Sequence, residues 1–237
     1  NDPLYVPTEQ IDLVLKYSSK DGVKPQLSKM GSKQWQKTKQ SVKKKIKDFS
    51  DRLLKLYAIR EQEVGYAFPE DNELQIAFEN DFKYTLTKDQ ITSLKKVKEL
   101  MQKPKPMDLV LIGDVGFGKT EVALRAAFKA VLAGKQVLYL VPTTILARQH
   151  YLTFKDRFEK YGGIVKLMSR FVSKKAQNET IERLRDGYVD VVVGTHRLLS
   201  EDIKFKDLGL LIIDEEQRFG VLHKERIKEI KLNVDTL

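Results

Sequence analysis

The sequence contains no cysteine, which excludes a disulfide scaffold and a thiolate metal centre. A chain without thiols is compatible with a reducing, cytoplasmic setting. No apolar run approaches the roughly 18 residues that a membrane span needs, so no membrane partner is expected. The opening NDPLYVPTEQIDLV has no basic flank leading into an apolar core, which is not the pattern of a secretory signal. An initiator methionine is missing too, which points to a piece excised from a longer protein. No internal repeat stands out.

Hydrophobic residues make up 41% of the 237, enough to bury a core and too many for a disordered chain. The net charge of +10 is unevenly spread: residues 1–60 hold 14 Lys and Arg against 6 Asp and Glu, whereas residues 61–237 hold 29 against 27. This basicity fits either an arm facing a polyanion or a solvated, lysine-rich helix face.

LYVP, Leu4 to Pro7, reads as the end of a strand, followed by a short helix or strand around Ile11–Tyr17. YSSKDGVKPQLSKMGS reads as a linker. Trp35, Val42, Ile46, Phe49, Leu53, Leu56 and Tyr57 then recur at spacings of mostly three, four or seven. That periodicity predicts one long helix from about Ser32 to Gly65, with Lys37, Lys39, Lys43, Lys44 and Lys47 mostly on its other faces. Its length, about 45 Å for 30 residues, suits a bridge between two bodies.

DNELQIAFEN and TKDQITSLKKVKELM read as helices, the second halted by the prolines of QKPKPMD. Beyond this point strands and helices alternate. Strands are expected at Asp108–Ile112, Gln136–Val141, Ile164–Met168, Val189–Val193 and Leu208–Ile213. Most are unbroken Val/Ile/Leu runs, as in parallel strands covered on both faces. Helices are expected at Lys119–Ala133, Thr144–Tyr161, Lys174–Asp186 and about Leu222–Lys231. The fold class is therefore α/β, a doubly wound, mainly parallel sheet preceded by a long amphipathic helix.

At the first strand–helix junction stands GDVGFGKT, Gly113 to Thr120. Gly113, Gly116 and Gly118 permit backbone angles and close approaches that a Cβ would block. The loop N–H groups can then converge on phosphate oxygens at the positive end of a helix. Lys119 adds a point charge for the β- and γ-phosphates, and Thr120 a hydroxyl for Mg²⁺.

A phosphate loop also needs an acid on the metal side. In LGLLIIDEEQRFG five apolar residues run into Asp214 and Glu215. These carboxylates would emerge at the carboxyl end of a buried strand, where open α/β sheets bind ligands. Asp214 would hold Mg²⁺, and Glu215 would orient or deprotonate the attacking water. Other strand ends carry small hydroxyls, a histidine or an arginine, in LVPTTILARQHY, MSRF and VGTHRLL. Thr143, Thr144, Arg170, Thr195 and His196 suit phosphate contacts that grip a nucleic-acid strand without reading bases. Thr143 and Thr144 equally suit helix caps, and a lone histidine such as His196 is usually structural.

Together these segments resemble the amino-terminal RecA-like lobe of superfamily 2 helicases and translocases. GDVGFGKT matches motif I, PTTILARQ motif Ia, GTH motif Ib and DEEQ motif II. TLTKDQ places Gln90 where that superfamily has an adenine-contacting glutamine, though Gln90 could equally be an exposed helix residue. The stretches from Lys105 to Tyr151 and from Phe205 to Leu237 are similar to bacterial transcription-repair coupling factors, the Mfd family. RecG helicases share much of this, including RFGV after the acidic motif. The upstream segment PQLSKMGSKQWQKTKQSVKKKIKDFSDRLLKLYAIRE resembles the coupling factors' relay helix.

The resemblance implies three segments: residues 1–26 as the end of a polymerase-interacting domain and linker, 27–66 as the relay helix, and 67–237 as the ATP-binding motor lobe. It implies ATP and Mg²⁺ as cofactors. Lys119, Asp214 and Glu215 would be catalytic, and Thr120 and Asp214 would face the metal. The nucleotide would contact Gly113, Asp114, Val115, Gly116, Phe117, Gly118, Lys119, Thr120, Glu121 and Gln90. Thr143, Thr144, Arg148, Arg170, Thr195 and His196 would lie on the DNA track; the superfamily more often has Gln where Arg148 stands. Gln217 and Arg218 would link the γ-phosphate site to the DNA side. The implied partners are double-stranded DNA and, through the full-length protein, RNA polymerase and excision-repair proteins. The implied function is an ATP-driven duplex-DNA translocase that displaces stalled polymerase. The alternatives are a RecG-like branch-migration lobe and a non-motor P-loop ATPase. This stretch by itself is expected to turn ATP over poorly, because the superfamily completes its site with arginines from a second lobe.

Overall fold

The computed structural model describes residues 6–8 and 33–237. Of the strand end read at Leu4–Pro7, Val6 and Pro7 are described and form no strand, while Leu4 and Tyr5, the element around Ile11–Tyr17 and the linker up to Ser32 lie outside the described residues. Backbone contacts divide the chain into two units, 1–57 and 58–237.

In the first unit the described structure is almost wholly helix. The helix α1 runs Lys33–Gln62, close to the predicted span. Of its apolar stripe, Trp35, Val42 and Ile46 are 43–59% exposed. The side chains of Phe49, Leu53, Leu56 and Tyr57 lie outside the described set.

In the second unit, beyond the end of α1, stand two helices, α2 (Glu73–Asn80) and α3 (Lys88–Met101). The alternating region follows: α4 (Lys119–Leu132), β1 (Gln136–Leu140), α5 (Thr144–Glu159), β2 (Val165–Met168), α6 (Lys174–Asp186), β3 (Val191–Gly194), β4 (Leu208–Ile213), α7 (Val221–Ile230) and β5 (Asp235–Thr236). All strand pairs are parallel, in the order β2-β3-β1-β4-β5. The fold is the expected doubly wound, RecA-like α/β sheet.

The strands are apolar throughout because both faces are covered. Along β1, Val137 and Tyr139 enter a core with α2, α3, α4 and α5 residues, while Leu138 and Leu140 enter a second core with Leu184 and Ile227. In β3, Val191 and Val193 point one way and Val192 the other. This is the two-residue alternation of a strand, with both sides of the sheet apolar. The alanines of α4, Ala123, Ala126, Ala127 and Ala130, are buried and let this helix lie close on the sheet.

One expected strand is missing and one unexpected strand is present. Residues 108–112 make a single parallel bridge, Asp108 to Thr236, instead of a ladder. Leu109 N–H donates to Thr236 O, and Thr236 N–H to Met107 O. The only strand beside this segment among the described residues is β5, two residues long, which templates no more than that. Val110 and Ile112 are accordingly 77% and 90% exposed, despite their strand-forming character.

Gln136 is a buried polar residue at the start of β1. Its Nε2 donates to the carbonyls of Leu184 (3.0 Å) and Val189 (2.8 Å), and its Oε1 accepts from the N–H groups of Lys206 (2.8 Å) and Asp207 (3.0 Å). One amide thus clips the end of α6, the approach to β3 and the approach to β4. A buried group stripped of its partner costs roughly 1–3 kcal/mol. Gln136→Leu should therefore destabilise the fold by about 2–3 kcal/mol in urea unfolding, with an unchanged m-value.

Candidate functional site

The glycine loop runs over the amino end of α4. Gly116 (φ +85°) and Gly118 (φ +72°) are in the left-handed region that favours glycine. Gly118 is also the residue just before α4. A Cβ there would lie 2.2 Å from Nε2 of Gln90. Gln90 donates from Nε2 to Phe117 O at 2.9 Å, while its Oε1 accepts from Thr87 N–H at 2.9 Å and Thr87 Oγ1 accepts from Gln90 N–H at 3.2 Å. This glutamine completes a reciprocal cap on α3 and fastens α3 to the loop. Gly118→Ala should disrupt that fastening and cost about 1–2 kcal/mol from the backbone alone. Isothermal titration should then show weaker nucleotide binding with the fold intact.

Lys119 opens α4 and curls back so that its Nζ donates to Gly113 O and to Asp114 O, the latter at 2.8 Å. Its ammonium is thus held at the centre of the loop. Val115 and Phe117 are 97% and 65% exposed, and the Phe117 N–H donates within the loop to Asp114 O at 3.4 Å. Thr120 follows Lys119, half-buried.

Glu121 departs from expectation. Its carboxylate is buried, with Oε1 2.8 Å from Arg125 Nε and Oε2 3.1 Å from Arg157 Nη1. Both oxygens are committed to arginines, so the Glu121 side chain is part of the core ion network rather than a nucleotide contact.

The β1–β4 ladder runs one step past the strand end: Asp214 N–H donates to Leu140 O at 2.9 Å. Asp214 therefore stands at the carboxyl edge of the sheet, beside the turn that leads into α5. His150, on α5, brings its Nε2 to 3.3 Å from Asp214 Oδ2. The His150 hydrogen bond holds the Asp214 carboxyl below its ordinary value; burial opposes this, and the Lys119 charge assists it. Glu215 follows at φ 52°, the one non-glycine residue in the left-handed region among those described. Such backbone costs about 1–3 kcal/mol and concentrates at functional sites. The two adjacent acids diverge, Asp214 towards His150 and Glu215 towards Arg218 Nε at 3.1 Å.

The donor set suits Mg²⁺: a hydroxyl and a carboxylate kept anionic, both hard oxygen ligands. Among the described residues no three metal-ligating side chains converge.

Of the residues assigned to a DNA track, Thr143 caps α5, its Oγ1 accepting from Leu146 N–H at 3.3 Å. Thr144 is half-buried and Arg148 exposed. Arg170 is exposed, its guanidinium 5.2 Å from the Phe171 ring centre. Thr195 is only 4% exposed, so its side chain does not reach an open surface. His196 is exposed and stacks on His223 at 5.0 Å. Gln217 and Arg218 are exposed beside the acids.

His150, Tyr139 and His223 escaped the sequence reading. A signal for His150 existed: Ala147, His150, Phe154 and Phe158 are the buried stripe of α5, at spacings of three and four. A histidine inside an apolar stripe asks for a polar partner.

Sheet, phosphate loop and strand-end acids define the class, a nucleotide-hydrolysing helicase motor domain. Residues 87–236 match the DEAD/DEAH box helicase family, and the chain belongs to it. More particularly, over its full length it is 57% identical to the transcription-repair-coupling factor of Bacillus subtilis strain 168, and 56% identical over 236 residues to that of Staphylococcus haemolyticus strain JCSC1435. The chain spans 20% of each of these relatives. Among solved structures, RecG bound to a three-way DNA junction superposes with a TM-score of 0.68 at 37% identity, covering 77% of this chain and 24% of that one. The DEAD-box helicase Mss116 bound to ssRNA and UDP-BeF shares the fold, with a TM-score of 0.56 at 19% identity, over 77% of this chain and 40% of its own.

Proposed function

We propose that residues 67–237 are the first motor lobe of a cytoplasmic, ATP-driven duplex-DNA translocase, with residues 27–66 as its relay helix and 1–26 as the end of a polymerase-interacting domain. In the whole protein this motor displaces stalled RNA polymerase and brings in excision-repair proteins. The observation that carries the reading is the placement of Lys119 on the glycine loop, its Nζ donating to Gly113 O and Asp114 O, and of Asp214 at the carboxyl end of β4. The identity to the coupling factors over the full chain supports the role in repair.

Lys119 exchanges two loop carbonyls for phosphate oxygens as nucleotide enters. Thr120 and Asp214 would hold Mg²⁺, which when bound would neutralise phosphate charge and act as a Lewis acid. Glu215 orients the attacking water. Gln90, already on the loop, lies at the adenine side. Thr144, Arg148, Arg170 and His196 form the candidate DNA track, and Gln217 and Arg218 join it to the acids. Thr143 contributes chiefly as the cap of α5.

The decisive experiment uses the full-length protein. Duplex DNA should stimulate ATP hydrolysis, the protein should strip a triplex-forming strand, and it should release a halted RNA polymerase only with hydrolysable ATP. Stripping without polymerase release would favour the RecG-like reading, which the likeness to RecG supports. ATPase activity indifferent to DNA would favour a non-motor P-loop ATPase.

A further inference from the structure

The Asp214 carboxylate is held by a side chain outside the motif that contains it. His150 is 8% exposed and lies on the inner face of α5. Its ring packs 4.9 Å from that of Tyr139, at 30°, and its Nε2 is 3.3 Å from Asp214 Oδ2. Tyr139 is itself 3% exposed and braced edge-on by Phe154 at 5.1 Å. Burial, aided by the Asp214 charge, raises the Tyr139 phenol far above its ordinary value, so this brace stays neutral. The imidazole thus has a rigid aromatic floor on one side and the carboxylate on the other.

An aspartate at a strand end can turn about its side-chain bonds. A donor fixed to one oxygen removes that freedom and leaves the other oxygen directed. Metal-binding carboxylates depend on such outer partners, whose loss typically costs 10–100-fold in metal affinity or activity. Burial alone asks only that the imidazole have some polar partner; here that partner is the carboxylate at the end of β4, at 3.3 Å.

We propose that His150 is a positioning residue that presents the Asp214 carboxylate to the Mg²⁺-nucleotide. The inference rests on the nucleotide-binding reading above. His150→Phe keeps a ring against Tyr139 and removes the donor, whereas His150→Gln keeps an N–H donor.

The test is binding of a fluorescent ADP analogue to the chain at increasing Mg²⁺, with a parallel titration in EDTA and a thermal melt of each variant. His150→Phe should raise the Mg²⁺ needed for half-saturation about tenfold and leave the affinity in EDTA unchanged. His150→Gln should stay within about threefold of the wild type. Unchanged Mg²⁺ dependence in a folded His150→Phe variant overturns the proposal, as do equal shifts in both variants. Should His150→Phe not fold, His150→Leu alone and combined with Asp214→Asn decides: a shift in Mg²⁺ dependence that disappears in the Asp214→Asn background supports the proposal, and an additive effect overturns it. A wild-type chain whose nucleotide binding ignores Mg²⁺ overturns the reading of Asp214 as a metal-side acid, a separate failure.

Discussion

Lys119→Ala is expected to abolish measurable nucleotide binding by the chain and to lower ATP turnover by the full-length protein at least about a thousandfold, some 4 kcal/mol of transition-state stabilisation. Among the described residues, the ammonium is bonded to the carbonyls of Gly113 and Asp114 on the loop. Both acceptors are backbone atoms on an exposed turn, so removing the donor should leave the core untouched. The melting temperature should move by no more than a few degrees, and binding by fluorescence anisotropy should vanish. Retention of wild-type nucleotide affinity by the folded variant would remove the basis of the proposed function. Lys119→Arg is expected to rescue little, because a planar fork does not reproduce a compact point charge between two carbonyls.

Glu121→Ala should do the opposite: little to nucleotide chemistry and much to the fold. The Glu121 carboxylate lies between Arg125 and Arg157. Arg125 also reaches Glu79 Oε2 at 3.3 Å and Glu79 O at 3.2 Å, and Arg157 donates to Phe78 O at 2.8 Å. Arg125 is 5% exposed and Arg157 is 9%. Taking away the acid leaves two buried guanidiniums short of counter-charge. Breaking a buried pair in this way costs about 3–5 kcal/mol. At about 2–4 °C per kcal/mol for a unit of this size, the melting temperature should fall by roughly 10 °C. Differential scanning calorimetry would show this. A Glu121→Ala protein that melts like the wild type but binds nucleotide tenfold more weakly would return Glu121 to the nucleotide site.

Acid should weaken the same unit through other carboxylates. Asp71 lies below its ordinary value of 3.8: burial opposes the shift, and hydrogen bonds from Lys129 and Lys98 outweigh it. Asp214 is lowered as well. A carboxyl whose folded value is depressed adds stability that is complete above its unfolded value and lost as pH falls through the folded one. Chemical unfolding should therefore show stability from these two groups that is level above about pH 5 and declines as the pH drops below about 4. Asp71→Asn should flatten part of that slope.

Much of this molecule was legible in one dimension. The strands β1 and β4 announce themselves as unbroken apolar runs, because a parallel sheet packed on both faces has no polar side to show. The glycine loop was readable because left-handed backbone at Gly116 and Gly118 restricts those positions to glycine. Asp214 and Glu215 were readable from their place at the end of an apolar run. Residues 108–112 carry the same β-branched signal yet form no ladder. A strand needs a partner, and only the pairing of Asp108 with the two-residue β5 decides how far it extends. Glu121 follows directly on the glycine loop and is read there as a nucleotide contact. Which way its carboxylate points depends on Arg157, 36 residues later on α5, and no local pattern contains that. His150 likewise became a partner of Asp214 only when β4 landed beside β1. Residue order determined backbone geometry, periodicity and the chemistry available at each strand end. Tertiary structure alone decided which charges met, because an ion pair depends on distance in space rather than distance along the chain.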